Sequence, residues 1–261
     1  QHVPLEPHVA IAQYEYDGKL TVCASTQSPY AVRQALSVAF EIPLNKLRVI
    51  SPYVGGGFGS KAGTTIEGII IPLAMRCKGR PVKLQYSRED EFQNSYVRQG
   101  LHCKIKTGVK KDGRIHVWTD SYCVYTNHPV GGPYRGFGMC EIHFAIEQNI
   151  DIVAKEIGMD PVEMRRINGL RVGDKTCMGE TMVVSGYHEC LEEVVKDIGY
   201  GEKSESPNPR KVRGKGIAAG WKSPSMPTNA GSAAIIRMNE DGTFFLMTSG
   251  QEIGQGSDTA L

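Results

Sequence analysis

No stretch of the 261 residues stays apolar long enough to cross a membrane; the longest run, Ile69–Leu73, is interrupted by Pro72. An excess of one charge is equally lacking. Lys and Arg total 30, Asp and Glu 28, for a net charge of +2, too balanced for a protein that would bind nucleic acid through many phosphate contacts. The seven cysteines (23, 77, 103, 123, 140, 177, 190) always have at least twelve residues between them. C-x-x-C is therefore absent, and zinc and iron–sulfur templates go with it. Such an odd, scattered set predicts buried, reduced thiols in a cytoplasmic protein rather than a disulfide framework. G-x-S-x-G and H-E-x-x-H are missing too, and the seven histidines are too dispersed for a metal cluster. His2, His8 and His128 read as surface or packing residues. No pair of carboxylates stands out as an acid/base couple. The chain opens on Gln-His without a signal peptide and stops at Leu261 in what reads as a helix start, so both ends read as cuts.

What is present is ordinary globular material, 40% apolar and 22% charged, which excludes disorder and leaves room for one large domain or two modest ones. Strands are predicted over Val9–Tyr16 and Leu20–Ser25 about an Asp17-Gly18 turn. A helix opened by Ser28-Pro29 runs to about Phe40, and a strand follows over Leu47–Ile50. A second helix is expected over about Thr64–Cys77 and a strand over Val82–Ser87. Two more strands, Leu101–Thr107 and Arg114–Tyr122, flank a turn at Lys111-Asp112-Gly113. A long helix spans about Glu141–Ile157, with Ile142, Ala145, Ile146, Ile150, Val153 and Ala154 on one face. Asp160-Pro161 starts a short helix, and another amphipathic helix lies between Gly186 and Tyr200. Gly201–Lys215, rich in Lys, Ser, Pro and Arg, reads as a linker. Strands are expected at Gly216–Trp221, Ala233–Met238 and Thr243–Met247. The mixture lacks a regular βαβ rhythm, so the fold class is α+β. The domains are read as a first region, 1–200, the linker, 201–215, and the start of a second region, 216–261.

The one excess is glycine, 30 residues, much of it in three loops: 55–59, 131–138 and 250–256. The first ends Gly59-Ser60-Lys61; Ser60 defeats both the P-loop and the G-x-G-x-x-G pattern. Glycines between a strand and a helix nevertheless let backbone N–H groups approach a ligand. Each loop also carries large or polar side chains: Phe58; Arg135 and Phe137; Gln251 and Gln255. Three such loops predict backbone wrapped about an extended, polar, anionic ligand, to which Arg135 could make bidentate contacts while the glutamine amides donate and accept.

Taken in order, these features resemble the molybdenum-cofactor subunit of the xanthine dehydrogenase/aldehyde oxidase family. The matching residues are Leu5-Glu6-Pro7, Ser25-Thr26-Gln27, Gly55-Gly56-Gly57-Phe58-Gly59-Ser60-Lys61, Thr126-Asn127, Tyr134-Arg135-Gly136-Phe137-Gly138, Ala145-Ile146-Glu147, Asp160-Pro161 and Gly254-Gln255-Gly256. The resemblance implies a molybdopterin cofactor, often in its cytosine dinucleotide form, whose molybdenum has no direct protein ligand. By resemblance Gln27 hydrogen-bonds an oxygen on the metal, Phe58 and Gly59 bring backbone beside it, and Arg135 stands behind them. Phe137 lines the substrate pocket, and Gln255 and Gly256 hold the pterin or its phosphate. Gly57, Gly136 and Gly254 complete the cofactor-binding set. The implied reaction is hydroxylation of an aldehyde or N-heterocycle with oxygen from water. Electrons leave through an iron–sulfur subunit and an FAD subunit; the cofactor carries the chemistry and the protein orients it.

Several departures accompany the resemblance. The family's general-base glutamate falls beyond Leu261, and its N-terminal substrate-channel domain is missing. Some tens of residues are absent between Trp118 and Tyr125. Ala62 replaces the substrate-contacting glutamate of xanthine-oxidising members, which argues against purine specificity. Met139-Cys140-Glu141 replaces the usual Pro-Gln. Two functions follow: an enzyme component completed by a second molybdenum-subunit chain carrying the glutamate, or a cofactor-binding scaffold inactive by itself. An unrelated nucleotide-binding protein would have to match every motif by chance.

Overall fold

The computed structural model describes residues 1–98, 103–119, 129–176, 179–206, 208–220 and 232–261. Thr126-Asn127 and His128, with Cys123 and Cys177, lie outside the described residues. In chain order the elements are β1 (Val9–Tyr14), β2 (Leu20–Ala24), α1 (Pro29–Ala39), β3 (Leu47–Ile50), α2 (Glu67–Arg76), β4 (Pro81–Gln85) and α3 (Arg88–Asn94). Then come β5 (Lys106–Val109), β6 (Ile115–Thr119), α4 (Met139–Glu156), α5 (Pro161–Asn168), α6 (Tyr187–Asp197), β7 (Ala234–Met238), β8 (Phe244–Thr248) and α7 (Ser257–Ala260). The fold is α+β, as expected. It divides into one unit of Gln1–Gly100, Tyr125–Gly138 and Met226–Leu261 and another of Leu101–Val124 and Met139–Ser225.

The first unit is built on a four-stranded sheet ordered β3-β2-β1-β4. The Asp17-Gly18 turn brings β2 antiparallel to β1 with Ala12 opposite Val22, and β3 returns parallel to β2 after α1. Alternation puts Ala10, Ala12, Leu20, Val22 and Ala24 on the inner face, where they meet Val32 and Leu36 of α1 and Ile70, Ile71 and Ala74 of α2. Alanines on β1 are what allow α2 to lie close. The second helix starts at Glu67, later than the expected Thr64, because the Glu67 carboxylate accepts from the amide of Thr65 (2.7 Å) and turns the chain there. Helix α3 was not expected. Its signal is a capping box: Ser87 Oγ accepts from Asp90 N (3.1 Å) while Ser87 N donates to Asp90 Oδ2 (2.9 Å). Seven residues are too few for periodicity to show.

In the second unit β5 and β6 form a hairpin closed by Gly113 at positive φ. The turn dictates the register, so β5 occupies 106–109 rather than the expected Leu101–Thr107. Helices α4 and α5 pack through Ile150, Ala154 and Met164; Ile146 and Val153 add to this face, whereas Ile142 is exposed. Asp160 caps α5, its Oδ1 accepting from Val162 N and Glu163 N, with Pro161 in the first turn. Arg165 is buried and bolts the two helices: Nε donates to Glu147 Oε2 and Nη1 to Asp151 Oδ1, both at 2.8 Å. Residues 216–220 are not a strand. The amide of Ala219 donates to Glu147 Oε2 (2.6 Å) instead of to a ladder.

One further expectation changes. Cys77, Cys103, Cys140 and Cys190 are exposed and Cys23 is half-buried, so none of these five is in a disulfide and none is a core residue. His2 and His8, expected as surface or packing residues, are fully buried, so packing is the role the structure gives them. Among the described residues no helix is long and apolar enough to cross a membrane.

Ile70 and Ile69 are neighbours on α2 with opposite environments, 0% and 51% exposed. Ile70→Ala should cost about 2–5 kcal/mol in urea denaturation, and Ile69→Ala less than about 1 kcal/mol. Equal costs would contradict the packing of α2 on the sheet.

Candidate functional site

The three glycine-rich loops all belong to the first unit. Gln27 follows β2. Its amide and the Thr26 hydroxyl donate to the Lys61 carbonyl (2.8 and 3.2 Å), so the end of β2 is tied to the end of the 55–61 loop. The Gln27 side chain then reaches over that loop, and Oε1 accepts from Gly59 N (2.9 Å). Gly57 has to be glycine here, because a β-carbon would overlap the Gln27 carboxamide. The loop curls through Ser60 N and Oγ, which both donate to Gly57 O at 2.9 Å.

The second loop meets the first directly. Arg135 N donates to Phe58 O (2.9 Å), and the Pro133 carbonyl fills the space a side chain at Gly59 would need. Phe58 and Phe137 both adopt left-handed backbone, φ 55° and 51°. Bulky residues are seldom held there, at a cost of about 1–3 kcal/mol each, and such strain clusters at functional sites. Both rings are largely exposed, as is the Arg135 side chain. In the second loop Gly136 and Gly138 also have positive φ, 101° and 85°.

The third loop reaches the first through Gly254: a β-carbon there would stand 3.5 Å from Val54 O and 3.7 Å from Gly56 N. Gln255 is turned into its own loop, Nε2 donating to Gln251 O (2.7 Å) and Oε1 accepting from Ile253 N (2.7 Å). The amides of Gly254, Gly256 and Asp258 all donate to the Glu252 carboxylate, at 2.6, 3.2 and 3.2 Å. An internal anion thus sits among these donors. The Gly256 amide above all, with those of Gly254, Asp258 and Ser257, holds the Glu252 carboxyl below its ordinary value.

Sequence reasoning missed the residues that hold these loops from behind. Arg98 Nη2 donates to the carbonyls of Tyr134 (3.1 Å) and Arg135 (2.8 Å), and its guanidinium lies 4.5 Å from the centre of the Tyr134 ring. Buried His2 stands between the Tyr96 and Pro133 carbonyls (3.0 and 2.7 Å); burial lowers its proton affinity, and the neutral ring donates to one of the two. Buried His8 spans Glu91 (2.8 Å) and the Ser60 carbonyl (3.1 Å). Burial pushes the Glu91 carboxyl up, and the hydrogen bonds and charge of His8 more than offset that, leaving it below the usual range. None of these contacts has a local sequence signal.

The structure therefore brings Gln27, Gly57, Phe58, Gly59, the Arg135 backbone and Gly254 together, while the donors of Gln255 and Gly256 bond within their own loop. The Gln27 carboxamide and the backbone amides of these loops, beside the exposed Phe58 ring, fit a polar, anionic pterin–metal group.

Two outcomes test this geometry. Gly59 has φ 107° with a carbonyl against it, so Gly59→Ala should lower the stability of the first unit by about 1–3 kcal/mol in denaturant; no loss would contradict the loop contact. The Glu252 carboxyl binds its proton less tightly folded than unfolded. Its bonds therefore hold the turn above the ordinary glutamate value of about 4.3 and are lost as pH falls through the lowered value. Amide protection at Gly254 and Gly256 should drop on acidification, and in Glu252→Gln it should be low at neutral pH already.

Comparison with known proteins follows the same lines. Models of the molybdopterin cofactor-binding domain match residues 1–119 and 116–169, and a second such model matches 193–261. The xanthine dehydrogenase molybdenum-binding subunit of Escherichia coli O157:H7 is 31% identical over 304 positions, covering all of this chain and 40% of that protein. The nicotinate dehydrogenase large molybdopterin subunit of Eubacterium barkeri is 29% identical over 76% of this chain and 56% of its own length. The aldehyde oxidoreductase structure from Desulfovibrio gigas superposes with a TM-score of 0.76 at 23% identity, over 98% of this chain and 32% of that one. The chain thus spans well under two thirds of these relatives. The first alignment needs 304 positions for 261 residues, and the two matched stretches of the first domain meet at 116–119, beside the expected missing segment. The chain belongs to the molybdopterin cofactor-binding domains of the xanthine dehydrogenase/aldehyde oxidoreductase family.

Proposed function

We propose that this chain is the cofactor-binding part of a molybdenum hydroxylase acting on an aldehyde or N-heterocycle, with water as the oxygen source. The observation that carries the reading is the meeting of Gln27, Phe58-Gly59, Arg135 and Gly254 in one unit, around two strained, exposed phenylalanines. The group's contribution when bound is oxidative hydroxylation of an electron-poor carbon. The protein's own part is positional. Gln27 would present its carboxamide NH₂ to an oxygen at the metal while Oε1 stays on Gly59 N. Phe58 and Gly59 would lie beside the metal as backbone, and Arg135 would add a cation there. Phe137, exposed at a strained position, would stack on an aromatic substrate. Gly57, Gly136 and Gly254 keep side chains out of the cofactor's way. Gln255 and Gly256 would contact the pterin or its phosphate by exchanging their internal acceptors, Gln251 and Glu252, for the ligand. The cytosine dinucleotide form belongs to this proposal.

A second reading has its own observation. The Glu252 carboxylate is committed to three amides, and buried Glu67 accepts from Thr65 N at the start of α2; neither is available as a general base. The isolated chain would then bind cofactor without turnover, and a second molybdenum-subunit chain would supply the glutamate. Every residue of β7 and β8 is exposed, including Ile235, Ile236, Phe244 and Phe245. A two-stranded ribbon is marginal alone, and its exposed apolar side chains are what such a partner chain would cover. An iron–sulfur subunit and an FAD subunit complete the electron path. We further propose a division into regions 1–200 and 216–261 about a linker at 201–215.

Incubated with molybdopterin and molybdate, the chain should retain pterin and molybdenum through gel filtration, and Gln27→Ala should retain less. With aldehydes, N-heterocycles and an artificial electron acceptor it should not turn over, since a positioned base is worth about 10²–10⁴-fold. No retained pterin would sink the cofactor reading; turnover lost in Glu252→Gln would sink the assignment of the base to another chain.

A further inference from the structure

Glu6 touches both ends of the 55–61 loop. Its amide donates to Gly55 O (3.2 Å), and its Oε2 accepts from Gly55 N (2.8 Å) where the loop begins. At the other end Lys61 Nζ donates to the same Oε2 (2.7 Å) and to the Glu6 carbonyl (2.8 Å). The Lys61 ammonium is fully enclosed, and burial lowers its proton affinity against the opposing pull of Glu6. Gly55 has no room for a side chain, since a β-carbon would stand 2.5 Å from Glu6 Cβ. Glu6 is itself anchored. Arg88 donates to the carbonyls of Pro4 and Leu5, and two residues on, His8 is held by Glu91 of α3.

The bonds inside the loop, Ser60 to Gly57 and Ala62 to Gly59, curl it but do not say where it stands. The span between Gly55 and Lys61 does. Through the Lys61 carbonyl that span also places Gln27, whose Oε1 receives the Gly59 amide, and the Phe58 carbonyl next in line receives Arg135. We propose that Glu6, acting through Lys61, is the positioning residue of the cofactor loop: one carboxylate sets the distance between the loop's ends and so the placement of Phe58, Gly59 and the Gln27 carboxamide. What the loop is positioned toward rests on the cofactor reading above; the mechanical linkage does not.

Hydrogen exchange resolved to single amides on the whole chain tests the linkage. In Glu6→Gln the amides of Gly59 and Arg135 should exchange about tenfold faster, the change expected for loss of one charged hydrogen bond, while Ala12 and Val22 in the sheet stay unchanged. Equal acceleration at all four would mean a general structural role and overturn the proposal, as would no acceleration at Gly59. Should Glu6→Gln unfold because it strands the buried ammonium, Glu6→Gln with Lys61→Met removes that charge. The double variant should regain thermal stability yet keep the fast exchange at Gly59; slow exchange there would overturn the proposal. A second readout uses molybdopterin released from a denatured molybdenum hydroxylase, followed as pterin fluorescence after gel filtration. Glu6→Gln should retain about tenfold less than the unaltered chain, and equal retention would overturn the proposal. If the unaltered chain retains none, the cofactor reading fails, and the exchange pattern alone decides the positioning role.

Discussion

A buried ammonium cannot be left unpaired, and that constraint shapes the first unit. Lys61 sits wholly enclosed at the end of the glycine-rich loop, with Glu6 as its counter-charge. Removing such a charge from water costs several kcal/mol unless a partner and further hydrogen bonds compensate. The segment carrying Glu6 is therefore obliged to lie along the loop, and β1, which follows it directly, enters the sheet from there. The Lys61 carbonyl in turn holds Thr26 and Gln27, so one residue joins the amino-terminal segment, the end of β2 and the start of the run into α2.

The second unit is organised by the same device with different chemistry. Arg165 is 1% exposed, and its planar guanidinium is divided between Glu147, Asp151 and the Pro161 carbonyl. Glu147 also accepts from Ala219 N. A single buried cation thus fixes two helices against each other and draws in a later segment. Hydrophobic contacts between α4 and α5 are few, Ile150, Ala154 and Met164 at the centre, which makes the polar bolt the more specific part of that packing.

Around the glycine-rich loops, stability is spent on geometry. Phe58 and Phe137 hold unfavourable backbone and expose their rings, and the opposing support is the set of braces behind them: Gln27 on Gly59, Arg98 on Tyr134 and Arg135, His2 on Pro133. Strained residues persist only where their surroundings over-determine them. Here the surroundings are polar side chains, a carboxamide, a guanidinium and an imidazole, each meeting backbone carbonyls or amides of a loop that has few side chains of its own to pack.

Local codes made much of the fold readable from sequence. Asp17-Gly18 announced its hairpin, Ser28-Pro29 and Asp160-Pro161 their helices, and Leu47–Ile50 its strand, because turn and cap chemistry acts within a few residues. The ordered glycine loops, with Gln27, Phe58 and Arg135, were enough to point to the family. The ranges that missed were set elsewhere: β5 by the register of its hairpin, 216–220 by a carboxylate on α4, the late start of α2 by Glu67. Glu6 with Lys61, His2 with Pro133, Arg98 with Arg135 and Arg165 with Glu147 were decided by tertiary structure alone. Such partners lie from eighteen to more than a hundred residues apart, and a bond between distant side chain and backbone leaves no period or motif in the chain. It exists only once the sheet and helices have brought both ends to the same place.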